Sequence, residues 1–94
     1  MASGKKSPWF KLHISDWKAG VATLTGEQRG VYITLLSHIH EAGGAIPFDI
    51  KELAIQSGIS VARLEPVIER LLKEGMIVLR DGMVSNGKPS IAEV

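Results

Sequence analysis

Ninety-four residues with a net charge of +1 bound this chain to one domain around a single small core. The absence of cysteine excludes disulfides and thiolate chemistry, and no apolar run approaches the ~20 residues of a membrane-spanning helix. No apolar signal core follows Lys5, Lys6 and Pro8, so the chain reads as cytoplasmic.

The charge is unevenly spread. Residues 1–18 carry a net of +3, residues 19–75 a net of −2, and residues 76–88 a net of +1. A phosphate-binding surface would therefore draw on both flanks as well as on the middle of the chain.

Residues 1–8 are small, polar and basic and read as a disordered arm. Trp9 to Ile14 reads as a short strand. Its alternation sets Trp9, Lys11 and His13 on one face and Phe10, Leu12 and Ile14 on the other, which should meet the core. Ser15 is the expected cap of a short helical turn over 16–20, where Trp17 buries its ring and anchors the arm.

Thr25 opens the next helix, with Gln28 at capping-box spacing, and Gly43-Gly44 stops it. Val31, Tyr32, Leu35, Leu36 and Ile39 form its apolar face. Ile33 lies off that stripe, which implies cover on more than one side. Residues 45–47 suit a brief extended pairing, and Asp49 suits the cap of a helix over 50–57.

The segment from Leu53 to Gly75 organises the rest. Gly58 supplies a turn that needs a left-handed backbone, Ile59 plugs it, and Ser60 caps a second helix. Leu64, Val67, Ile68, Leu71 and Leu72 recur at helical spacing. Pro66 falls inside that pattern and lacks a helical N–H, so either the regular helix begins nearer Leu64, as is expected here, or the helix is kinked around Pro66. Two strand-like runs, Met76–Arg80 and Met83–Asn86, flank an Asp-Gly hairpin signal, and residues 89–94 read as a flexible tail. The sum is an α+β, mostly α, winged helix-turn-helix over 9–88: a three-helix core, a C-terminal β-hairpin wing and a short N-terminal strand.

Such a motif most often binds nucleic acid, which makes Ser60, Arg63, Arg70 and Lys73 of helix 61–74, Arg80 and Lys88 of the wing, and Lys5 and Lys6 of the arm the expected DNA contacts. The bland alternative is a solvated helix face and edge-strand charges, and Glu65 and Glu69 would repel phosphates. Trp9, Lys11 and His13 form an outward face fit for a protein partner or a second copy of the chain. His38 and His40, two apart on a helix, diverge by ~200° and do not share an ion. With no assembled nucleophile, phosphate loop or metal set, neither an enzyme nor a cofactor is expected.

Residues 9–47 also carry an ordered series of motifs: Trp9-Phe10, Ser15-Asp16-Trp17, Leu24-Thr25, Gly30-Val31-Tyr32 and Gly43-Gly44-Ala45-Ile46-Pro47. With Leu53-Ala54, the turn at Ser60 and the stretch Gly82 to Asn86, the series resembles YdaU-like phage and prophage proteins over residues 9–88. The family often has more basic residues after that Asn than Gly87-Lys88-Pro89 supplies. The resemblance implies the winged-helix N-terminal domain of a phage or plasmid replication initiator or replisome organiser in a bacterial host. It would bind double-stranded DNA at an origin, with replisome or helicase-loader proteins as further partners. A transcriptional regulator at an operator, and a winged-helix interaction module that does not bind DNA, are the rival readings.

Overall fold

In the computed structural model, which describes residues 10–93, four helices and five short strands follow one another. They are β1 (Lys11–Leu12), α1 (Ile14–Gly20), α2 (Gly26–Ala42), β2 (Ile46–Pro47), α3 (Ile50–Ser57), α4 (Val61–Lys73), β3 (Ile77–Arg80), β4 (Met83–Asn86) and β5 (Ala92–Glu93). The domain is α+β and mostly helical. The disordered arm expected over residues 1–8, with Lys5 and Lys6, and the outward Trp9 lie outside the described residues.

The helix ends form where their capping residues stand. Thr25 Oγ1 accepts from the Gln28 amide at 3.1 Å while Gln28 Oε1 accepts from the Thr25 amide at 2.9 Å, a complete capping box at the start of α2. Asp49 accepts from the Lys51 and Glu52 amides at the head of α3, and Ser60 Oγ accepts from the Arg63 amide at 3.2 Å at the head of α4. Gly58 ends α3 at φ 72°, as the turn requires. The Ile59 amide then donates to the Ala54 carbonyl, and the Ile59 side chain packs against the core.

The apolar stripes of α2, α3 and α4 meet in one core. Tyr32, Leu36, Ile39, Leu64 and Leu71 are completely buried there, and Ile33 packs against its edge. Trp17 of α1 covers α2 by stacking on Tyr32, with ring centroids 5.8 Å apart and planes 6° from parallel. The Arg29 guanidinium donates to the carbonyls of Val21 and Leu24, tying the end of α1 to the beginning of α2.

Two antiparallel sheets complete the structure. One has the order β2-β4-β3, with Ile46 opposite Val84 and Leu79 opposite Val84 on its other side. The β3–β4 turn has positive φ at both Asp81 (54°) and Gly82 (75°), as a two-residue hairpin turn requires. The other sheet pairs β1 with β5, Leu12 opposite Ala92.

Five sequence expectations are corrected. The strand expected up to Ile14 is confined to Lys11–Leu12 among the described residues. The His13 amide donates to the Ile91 carbonyl at 2.7 Å, and the chain then turns into α1 with His13, not Ser15, at the N-cap. Ile14 therefore opens a helix and is 57% exposed instead of facing the core. Helix α4 begins at Val61, not near Leu64, because the Ser60 cap fixes its start. Pro66 is accommodated inside it because Ala62 and Pro66 are both exposed, so water can reach the carbonyl that lacks a partner. Residues 89–93, expected to be part of a flexible tail, fold back instead: Ile91 and Ala92 are buried and β5 pairs with β1.

Candidate nucleic-acid interface

Helix α4 packs its inner face on the core and turns two unlike flanks outward. On one flank, Arg63 and Arg70 are held by neighbours. Arg63 Nη2 lies 2.7 Å from the Glu27 carboxylate at the start of α2. Arg70 Nη2 donates to Thr23 Oγ1 at 3.3 Å, and its Nε lies 3.4 Å from the Glu74 carboxylate. Ser60 uses its hydroxyl oxygen as the helix cap. Lys73, in the last turn, is exposed and has no ion pair among the described residues.

The other flank faces the hairpin and is different in kind. Glu65 and Glu69 stand there one helical turn apart, both exposed, and neither has an ion pair among the described residues. Beside them opens a groove of about 400 Å³ lined by Phe48, Ile50, Ile68, Leu72 and Leu79. Phe48 is 37% exposed and Leu79 43% exposed, so two large apolar side chains form its open walls.

The hairpin cations are separated. Arg80 is exposed near the tip, opposite Met83 and next to Asp81. Lys88 lies at the hairpin base, its Cε and Nζ 3.9 Å from where a Cβ on Gly75 would sit, so its charge meets the carbonyl end of α4. Of the outward N-terminal face, Lys11 is exposed, while His13 Nε2 is 3.0 Å from the Glu93 carboxylate on β5. His38 lies 3.7 Å from Glu41, and His40 is buried against the Phe10 ring at 5.6 Å between centroids, so the two imidazoles occupy unrelated surroundings.

Sequence reasoning missed two features. The groove was one, because nothing in the alternation of residues 76–80 reveals that Leu79 outruns the core. Asn86 was the other. Its Oδ1 accepts from Tyr32 Oη at 3.0 Å and from the Lys88 amide at 3.0 Å, while its Nδ2 donates to the carbonyls of Ala92 (2.9 Å) and Lys88 (3.2 Å). One amide thus joins α2, β4 and the returning C-terminal segment. Burial pushes the Tyr32 hydroxyl up to about 12, so at neutral pH it is a firm donor in this network.

The described residues thus form a small α+β domain whose α3–α4 pair stands beside a two-residue hairpin. The chain belongs to the DUF1376 family, described as a protein of unknown function, whose model matches residues 8–89. No curated protein and no solved structure matched it. Among the described residues, no helix is long and apolar enough to cross a membrane.

Proposed function

We propose that this domain is a winged helix that binds duplex DNA through α4 and the β3–β4 hairpin, in the cytoplasm of a bacterial host. Its setting would be a YdaU-like phage or prophage protein that initiates replication or organises a replisome. The observation that carries this reading is the strand order β2-β4-β3 beside an α3–α4 pair joined at Gly58, the arrangement in which a hairpin flanks the second helix of a helix-turn-helix. The motif series over residues 9–88 supports the replication setting. Lys73 and Arg80 are exposed and without ion pairs among the described residues, which suits phosphate contact. Arg63 and Arg70 join them by exchanging a carboxylate for a phosphate, at a cost of about 0.2–1 kcal/mol for each exposed pair.

Fluorescence anisotropy of labelled duplex and single-stranded DNA across a salt series tests the proposal. Neutralising about four to six phosphates gives a slope of log K on log salt of about −4 to −5. Glu27→Gln releases Arg63 and should strengthen duplex binding severalfold. Absence of binding at low salt, or a flat salt response, would leave the domain to protein partners.

A further inference from the structure

We propose that the groove between α4 and the β3–β4 hairpin docks a short basic amphipathic segment of a partner protein, one that presents one or two large apolar side chains flanked by Lys or Arg. The floor of the groove is apolar, from Ile50, Ile68 and Leu72, and its walls are the exposed parts of Phe48 and Leu79. At about 400 Å³ it falls within the ~300–1,000 Å³ range of sites that enclose ligand-sized groups.

Charge names the occupant. Glu65 and Glu69 line the same groove one helical turn apart and repel each other along the helix face. The cations nearest in sequence do not pair with them among the described residues: Arg63 is engaged by Glu27, Arg70 by Thr23 and Glu74, and Lys73, one turn beyond Glu69, lies beyond ion-pair distance. A cation from outside relieves that repulsion while an adjacent apolar side chain fills the groove. A phosphate backbone meets the opposite situation, two uncompensated carboxylates beside an apolar wall. The groove is therefore a site for basic protein, separate from the arginine flank of α4 proposed for DNA.

The probe is a fluorescently labelled helical peptide of alternating leucine and lysine clusters, titrated into the full chain at low ionic strength. A peptide with glutamate in place of lysine, and one with serine in place of leucine, are the controls. The basic amphipathic peptide should bind, with amide shifts centred on residues 65–72 and 79, and neither control should bind. Glu65→Gln with Glu69→Gln should weaken it about fivefold or more, since two ion pairs are lost, and Leu79→Ser should weaken it similarly. Both variants keep the core intact, because all three side chains are exposed; circular dichroism and urea unfolding verify this. On DNA, the double glutamine variant should leave affinity unchanged or raised, opposite in sign to its effect on the peptide, so failure of one proposal does not imitate failure of the other. Equal binding of the basic and acidic peptides, or affinity indifferent to these variants, would overturn the proposal. So would self-association of the wild-type chain that Leu79→Ser abolishes, which would give the groove to a second copy.

Discussion

At the residue scale, the buried Tyr32 hydroxyl, bonded to Asn86, makes its own contribution to how the domain responds to alkali. Tyr32 is completely buried and donates to Asn86 Oδ1, and its hydroxyl titrates at about 12. An unfolded tyrosine loses its proton near 10. Below that pH both states hold the proton and the contribution is unaffected. As pH rises from 10 toward 12 the unfolded chain ionises first, so folding loses stability, by about 2–3 kcal/mol once both states are ionised. Tyr32→Phe should lower stability at neutral pH by about 1 kcal/mol through the lost hydrogen bond. Its stability should then fall less steeply than that of the wild type between pH 10 and 12. Urea unfolding at several pH values measures both effects, and parallel curves for the two proteins would remove Tyr32 as the titrating group.

At the element scale, the turn between α3 and α4 depends on backbone conformation alone. Gly58 sits at φ 72° and an added Cβ would meet nothing within 4 Å. Gly58→Val should therefore cost roughly 1–2 kcal/mol by conformational strain without any clash, and Gly58→Asn should cost less. Equal urea midpoints for Gly58→Val and the wild type would show that the turn tolerates a branched residue. This element was legible because its signals are local: Gly58, the Ser60 cap, the Thr25 capping box and the Asp81-Gly82 turn each act within a few residues of themselves. What was not legible depends on distant partners. Nothing near Ala92 in sequence announces a strand whose partner is Leu12, and nothing near Ile14 says that the ladder with β5 stops at Leu12, short of it. The start of α4 is illegible for a different reason: the penalty of Pro66 is local, but whether the orphaned carbonyl reaches water depends on how the helix faces outward. In the candidate site, sequence identified the charged residues of α4, whereas the division into an engaged arginine flank and an uncompensated acidic one depends on Glu27 and Thr23, which lie outside that helix.

At the scale of the whole molecule, the C-terminal return is a working part of the core. Ile91 is 2% exposed, and its Cδ1 would lie 2.5 Å from a Cβ added at Gly20. Ile91→Ala should destabilise the domain by about 2–4 kcal/mol, read as a lower urea midpoint with little change in m-value. A change below ~0.5 kcal/mol would mean that the segment is a cover and not core. The same return begins with a close backbone approach that only glycine allows, since a Cβ on Gly87 would collide with the Gly75 carbonyl, and the Gly87 amide donates to the Met76 carbonyl there.

The β1–β5 pair sets the first and last strands side by side and antiparallel, with Lys11 opposite Glu93. Tension applied between the two ends of the domain would load this ladder one rung at a time, as a zipper is opened, and not all rungs together in shear. Among the described residues two ladder pairs resist there, with the His13 amide on the Ile91 carbonyl, the His13–Glu93 contact and the Asn86 amide on the Ala92 carbonyl behind them. Under tension the clasp should give way before the α2–α4 core, freeing Ile91 and Ala92 while the helices and the hairpin hold. A load carried through both ends would thus act first on this corner of the molecule.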